Sequence, residues 1–279
     1  MSNFSYVRKI TPFDRFAYVM IAIITLVLLN NSLSTVVQPV TASNLTVTSV
    51  AEGDARPAWI PEFNDDIFAV GATGDGTGVN QTARIEPMLA EGQTLRIVEY
   101  DAGLRVDESS EEGVRNLHEA VLPYVSAGTP VTLIGMSQGA RVVGDTVERY
   151  FDSPEFAGLI TVVLLGDTRF PTGIETLEHD GIGDFITFTG ARPATQYVSV
   201  LSISIEGDPI SDAASASSTL AYVVSLVPGF LGLHAGKVGS QNYDHLAEMQ
   251  VRESWSDDAT TYVVMESSGA WSSLFPRGF

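Results

Sequence analysis

Val131-Thr132-Leu133-Ile134-Gly135-Met136-Ser137-Gln138-Gly139-Ala140 joins a strand-length apolar run to Gly-x-Ser-x-Gly and then to a helical pattern. The glycines have a mechanical purpose. Where a strand turns abruptly into a helix, the serine must take a strained backbone conformation with its hydroxyl exposed. Gly135 and Gly139 lack the Cβ atoms that would collide with the neighbouring strand and helix. The same spacing occurs in ordinary turns; the β-branched run before it and the helical spacing of Ala140, Val143 and Val147 after it make Ser137 the candidate nucleophile. A serine so placed sits at a helix N-terminus, where N–H groups stabilise an oxyanion.

Outward from this junction the pattern repeats. Ile67 to Val70, Leu95 to Val98, Leu159 to Leu165 and Val198 to Ile205 are further β-branched runs, and Val114, Leu117 and Val121 recur at helical spacing. Strands alternating with helices predict an α/β-hydrolase-like fold, a mainly parallel central sheet with helices on both faces, and place any chemistry just after the strands. Of 279 residues 44% are hydrophobic and 18% charged, enough for one large core. With 34 Asp+Glu against 15 Lys+Arg, the net charge of −19 repels phosphate backbones, so nucleic acid is excluded as a partner. The chain has no Cys and four His, which rules out a thiolate metal site and a cysteine nucleophile; no metal and no cofactor is expected.

The N-terminus reads as a targeting segment. Arg8, Lys9 and Arg15 precede an apolar run from Phe16 to Leu29, followed by polar residues ending in Val40-Thr41-Ala42, a small-residue cleavage pattern. The run is shorter than the ~20 residues of a bilayer-spanning helix, so residues 1–42 are expected to be a cleaved signal peptide in preference to a permanent membrane anchor. Residues 43–65, rich in Ser, Thr, Ala and Pro, read as a linker, and 66–279 as the folded domain. A secreted or cell-envelope-associated protein follows, with envelope or membrane association expected and no obligate protein partner.

A serine hydroxyl needs a histidine to take its proton and a carboxylate to orient that histidine, here in the order Ser, acid, His. Asp167 and Asp208 follow strand-like runs, and Asp212 lies one step beyond. His234, in Gly232-Leu233-His234-Ala235-Gly236, has small neighbours that let its ring reach a site; His245 is the fallback, His179 precedes Asp208 in an acidic loop, and His118 lies upstream on a helix flank. The first strand ends in Val70-Gly71-Ala72-Thr73-Gly74-Asp75-Gly76. With no Lys after these glycines and Asp75 among them, it is a poor phosphate loop; its better use is an oxyanion hole shared by the N–H of Thr73, with its hydroxyl at hand, and the N–H of Gln138.

Together these segments resemble the PE-PPE domain, a serine α/β-hydrolase family itself similar to cutinases. The likeness runs over about residues 60 to 270 and is carried by Gly71-Ala72-Thr73-Gly74, Glu99-Tyr100-Asp101-Ala102, the elbow around Ser137, Gly166-Asp167-Thr168-Arg169-Phe170-Pro171, Asp208-Pro209-Ile210-Ser211-Asp212, His234 and Thr260-Thr261-Tyr262-Val263-Val264. The resemblance implies Ser137 as nucleophile, Asp208 as acid and His234 as base, and demotes Asp167. Two departures stand out. Ser211 occupies the position of a cysteine in the cutinase acid loop, so that loop must be held without a disulfide, and the signal segment stands where a PE or PPE leader often precedes the domain.

The expected activity is that of an exported serine esterase or lipase-like hydrolase of acyl esters. An acyltransferase that passes the same acyl group to an envelope sugar or lipid hydroxyl is the alternative, and an inactive lipid-binding protein a further one. Between acid and base, Leu220, Val223, Val224, Val227 and Phe230 belong to an apolar stretch expected to form a helix, either an acyl-binding wall or a buried element of the core.

Overall fold

The computed structural model describes residues 56–177, 180–182, 185–215, 229–236 and 241–267. Their centre is a seven-stranded sheet built from β1 (Asp66–Val70), β2 (Thr94–Ile97), β3 (Val131–Met136), β4 (Ile160–Leu165), β7 (Ser199–Ile205), β8 (Val251–Asp257) and β9 (Thr260–Met265), in the order β2-β1-β3-β4-β7-β9-β8. Six strands are mutually parallel, and β8 runs antiparallel to β9 at one edge. A small hairpin of β5 (Gly181–Ile182) and β6 (Ile186–Thr187) stands apart.

Alternation along the strands divides the core into two layers. Phe68, Val70, Leu133, Val162 and Leu164 face one side, where Val114, Leu117 and Val121 of α2 (Val106–Ser126) and Val142 and Val143 of α3 (Gln138–Thr146) cover them. Ile67, Ala69, Ile134, Met136, Val163 and Leu165 face the other, beneath Ile85 of α1 (Val79–Ile85), Leu233, Tyr243 and Leu246. A sheet buried on both faces is why its strands read as continuous apolar runs, and the doubly covered parallel architecture expected from the sequence is the one found.

Two features of the fold carry no periodic signal in the sequence. Ile60 and Phe63, inside the expected linker, are buried against the second layer, and Asn64 reaches β3, its Nδ2 donating to Val131 O at 2.8 Å and its N–H accepted by Thr132 Oγ1 at 2.7 Å. The apolar side chains of a Pro-rich, aperiodic stretch suffice to tie it to the domain, so residues 57–64 belong to the fold. Strand β8 carries no apolar run because all seven of its residues are exposed; its charges protect a sheet edge. The signal segment and residues 43–55 lie outside the described residues. Among those described, no helix is long and apolar enough to cross a membrane.

The order of the strands positions the site. The chain leaves β1 toward β2 on one side and returns to β3 on the other, so the carboxyl ends of β1 and β3 flank a topological switch point. Register then aligns the ends: Val70 pairs with Gly135, Met136 with Leu165, and Leu165 with Ile203. The segments that follow these four strands begin with Gly71, Ser137, Gly166 and Glu206, side by side along one rim.

Candidate active site

Ser137 has φ 56° and ψ −118° between β3 and α3, a conformation that costs a non-glycine residue about 1–3 kcal/mol and persists only where its surroundings enforce it. The enforcement is visible in the flanking glycines. A Cβ on Gly135 would lie 2.3 Å from Gly139 O, and a Cβ on Gly139 2.3 Å from Val70 O and 2.5 Å from Gly71 O. The elbow is therefore pressed against both its own helix and the end of β1. Ser137 N–H donates to Leu165 O at 2.8 Å, tying the turn to β4 as well.

His234 Nε2 lies 2.7 Å from Ser137 Oγ, and His234 Nδ1 lies 2.9 Å from Asp208 Oδ2. All three side chains are buried, Asp208 completely. His234 ends a wide helical turn, Phe230–His234, closed by Ala235 N–H donating to Phe230 O, and the Phe230 ring stacks on the imidazole at 5.3 Å. Wide turns of this kind recur at functional sites because they re-aim one side chain.

Asp208 is densely solvated by protein. Its Oδ2 accepts from His234, from Tyr243 O–H at 2.7 Å and from Ser211 O–H at 2.9 Å, and its Oδ1 accepts from Ile210 N–H at 2.8 Å. Burial works against the charge, but His234 and these donors outweigh it and hold the carboxyl below the usual carboxylate range. Ser211 also meets Ser204 Oγ at 2.8 Å and Tyr243 at 2.9 Å. The loop that lacks the cutinase cysteine is thus held by a chain of hydroxyls.

The other acid candidates are engaged elsewhere. Asp167 faces Arg192, whose Nε and Nη2 donate to its two oxygens at 3.0 and 3.3 Å, within a buried network of Arg141, Asp145, Arg169 and Arg192. Asp212 shapes its own loop, accepting from Gly207 N–H, Thr172 O–H and Ser215 O–H. His245 is partly exposed beside Glu248, His118 stacks on Tyr150, and His179 lies outside the described residues.

Thr73 Oγ1 donates to Gln138 Oε1 at 2.8 Å, which links the glycine loop to the first residue of α3. The hydroxyl therefore already has a partner. Tyr100 shapes the loop from behind, donating its O–H to Gly71 O at 2.7 Å, and burial, with Asp75 and Asp101 nearby, pushes that phenol well above its ordinary range. Asp75 accepts from the N–H groups of Asn80 and Gln81 at the start of α1, so its carboxylate stands in the loop where a phosphate would need to sit. Leu220, Val223, Val224 and Val227 lie outside the described residues.

Three participants carry no signal of their role in the sequence. Tyr243 sits two residues before the fallback histidine without a motif of its own; Ser211 stands out only as a missing cysteine. Gly166, with φ +62°, leaves room for the site, since a Cβ there would come within 3.0 Å of His234 Cε1 and 3.2 Å of the Tyr243 ring.

A mostly parallel sheet covered on both faces, with a strained serine at its switch point and a histidine and carboxylate on the same rim, defines an α/β-hydrolase architecture. The PE-PPE domain matches residues 86–268, and the chain belongs to that family. The glycine loop at 71–74 precedes the matched stretch. The chain is 33% identical over 107 residues to Esterase PE16 of Mycobacterium tuberculosis, covering 35% of this chain and 20% of that protein. To PPE42, an uncharacterized PPE family protein of the same species, it is 31% identical over 173 residues, or 59% of this chain and 29% of the relative. The chain therefore spans less than a third of the length of either curated relative. Among solved structures, a cutinase-like protein from Cryptococcus sp. aligns at 17% identity with a TM-score of 0.39, over 59% of this chain and 90% of the other.

Proposed function

We propose that the protein is a serine esterase that hydrolyses acyl esters through an acyl-enzyme. One observation carries this reading: an unbroken chain of short contacts from Ser137 Oγ through the two ring nitrogens of His234 to Asp208 Oδ2, at a strained elbow on the sheet rim. The name of the relative Esterase PE16 agrees with it.

In the proposed reaction His234 Nε2 takes the proton of Ser137 as Oγ bonds to the ester carbonyl carbon. Asp208 holds the proton on Nδ1, which keeps Nε2 free as the base, and then stabilises the imidazolium. The N–H groups of Thr73 and Gln138 receive the oxyanion, with the Thr73–Gln138 side-chain bond holding both segments at one spacing. The imidazolium protonates the leaving alkoxide, the alcohol departs, and water activated by the same base releases the acid. No step calls for a metal or a cofactor.

An acyl chain would lie along the apolar stretch that ends at Phe230, whose ring is stacked on the base. Export by residues 1–42 is part of the same proposal, and a lipid or acyl ester of the cell envelope is the substrate class that suits it.

The test is labelling with a fluorophosphonate probe, followed by turnover of esters of graded chain length with and without an alcohol acceptor. Labelling of Ser137, and hydrolysis that improves with chain length until the acyl site is filled, are the expected results. Transfer to the alcohol in preference to water would replace hydrolase by acyltransferase, and absence of both labelling and turnover would remove the enzymatic reading.

A further inference from the structure

Tyr243 is a fully buried phenol with no obvious part in the reaction as drawn. Its ring packs beneath the sheet with Leu233 and Leu246, meets the His234 ring edge-on at 6.0 Å and lies over Gly166, where a Cβ would crowd it at 3.2 Å. Its hydroxyl proton goes to Asp208 Oδ2 at 2.7 Å, the same oxygen that His234 Nδ1 uses, while Ile205 N–H at the end of β7 donates to the phenol oxygen at 3.3 Å. Burial and the nearby Asp208 charge push the phenol well above its ordinary range, so it remains a donor throughout the working range of a hydrolase.

An interior tyrosine needs one hydrogen-bond partner, and Ser211, which touches both Tyr243 and Asp208, offers another acceptor within 2.9 Å. The proton is directed instead at the carboxylate oxygen that faces the base. We propose that Tyr243 is a positioning residue of the reaction: its hydroxyl, shared on one oxygen of Asp208 with His234, fixes the carboxylate toward the imidazole and disperses its charge, and so sets the basicity of His234.

The proposal rests on the serine-esterase reading above. The described groups that face this pair are few. His234 approaches Asp208 from the 230–234 turn, Tyr243 and Ser211 side by side with their hydroxyls 2.9 Å apart, and Asp212 from the same loop, its oxygens taken by Gly207, Thr172 and Ser215. Glu206, the next acid on that strand end, is turned to Arg252. With the phenol donor gone, the Asp208 charge is less dispersed and binds the imidazolium more tightly, so His234 stays protonated to higher pH.

Tyr243→Phe, which keeps the ring against Gly166, is expected to lower kcat about tenfold and move the acid limb of kcat/KM upward by about half a pH unit. Ser211→Ala, which removes another donor from the same oxygen, should move the limb the same way. In an Asp208→Asn background Tyr243→Phe should change kcat less than about twofold, because the residue acts through Asp208. A parental pH profile, a downward shift, or an undiminished loss in the Asp208→Asn background would each overturn the role. If Ser137→Ala retains hydrolysis, the esterase reading falls and this role with it; if Ser137→Ala is inactive while Tyr243→Phe and Ser211→Ala both keep the parental limb, only the role of Tyr243 falls.

Discussion

At Ser137 the backbone, the hydroxyl and the histidine nitrogen meet at one point, and the strongest mutational contrast belongs there. Ser137→Ala should lower ester hydrolysis on the order of 10⁴-fold and abolish fluorophosphonate labelling without changing the thermal midpoint. His234→Ala should match that loss, whereas His245→Ala, at a partly exposed ring paired with Glu248, should retain parental activity. Retention of activity in His234→Ala would assign the base elsewhere. Asp167 and Asp208 are both buried carboxylates after strands, yet they should fail differently. Asp208→Asn offers His234 Nδ1 an amide that no longer specifies its tautomer, so kcat should fall by about 10⁴. Asp167→Asn weakens one of the ion pairs of the buried Arg192, which keeps Asp145, and should lower stability by about 1–3 kcal/mol. Thermal melts and kinetics on the two variants separate these effects, and equal kinetic losses would contradict the assignment.

At the scale of elements, the junction of β3 and α3 is where packing and chemistry are hardest to separate. Alanine ordinarily stabilises a helix position over glycine by about 1 kcal/mol, and Gly139 is the second residue of α3. Here the added methyl would meet two backbone oxygens, on Val70 and Gly71, at 2.3 and 2.5 Å. Neither can retreat without moving the end of β1. Gly139→Ala is therefore expected to destabilise by about 1–3 kcal/mol, the usual range for overpacking, and to lower turnover by displacing the Thr73 loop from Gln138. Urea unfolding checks the sign, and a stabilised variant with full activity would show that the elbow is looser than its contacts indicate.

For the whole molecule, buried ion pairs link stability to pH. Burial disfavours the charge on Asp145, but Arg192, Arg169 and Arg141 outweigh it and hold its carboxyl below the usual range; Asp208, whose charge burial also disfavours, is held low by His234 and its donors. A carboxylate depressed in the folded state contributes stability above its unfolded pKa and loses it as pH falls through the folded value. Thermal midpoints should thus be level at neutral pH and fall below about pH 4. Asp145→Asn should lie well below the parent at pH 7, and the gap should narrow as pH falls below about 4. A gap that stays constant over that range would mean that the charge of Asp145 contributes nothing.

The alternation of apolar runs and helical spacings, and the glycines around Ser137, were sufficient to specify a parallel sheet covered on both faces with a serine at a strand-to-helix elbow. Those signals are local: continuous β-branched runs, helical spacing and the absence of a Cβ each act within a few positions. The strand β8, with every residue exposed, and the tie of residues 57–64 to β3 carry no periodic signature, and only packing reveals them. Residue order alone offered three acids and two downstream histidines, and the family resemblance favoured one pair. Only the tertiary structure decided which groups touch. Asp167 and Asp208 leave neighbouring strands, and what separates them is that one carboxylate falls beside the Arg192 guanidinium and the other beside His234. Tyr243 was invisible in the sequence for the same reason, and of Ser211 only the missing cysteine was legible. The Tyr243 hydroxyl reaches Asp208 from across 35 positions of chain, and convergence of that kind is a property of packing, with no local spacing to announce it.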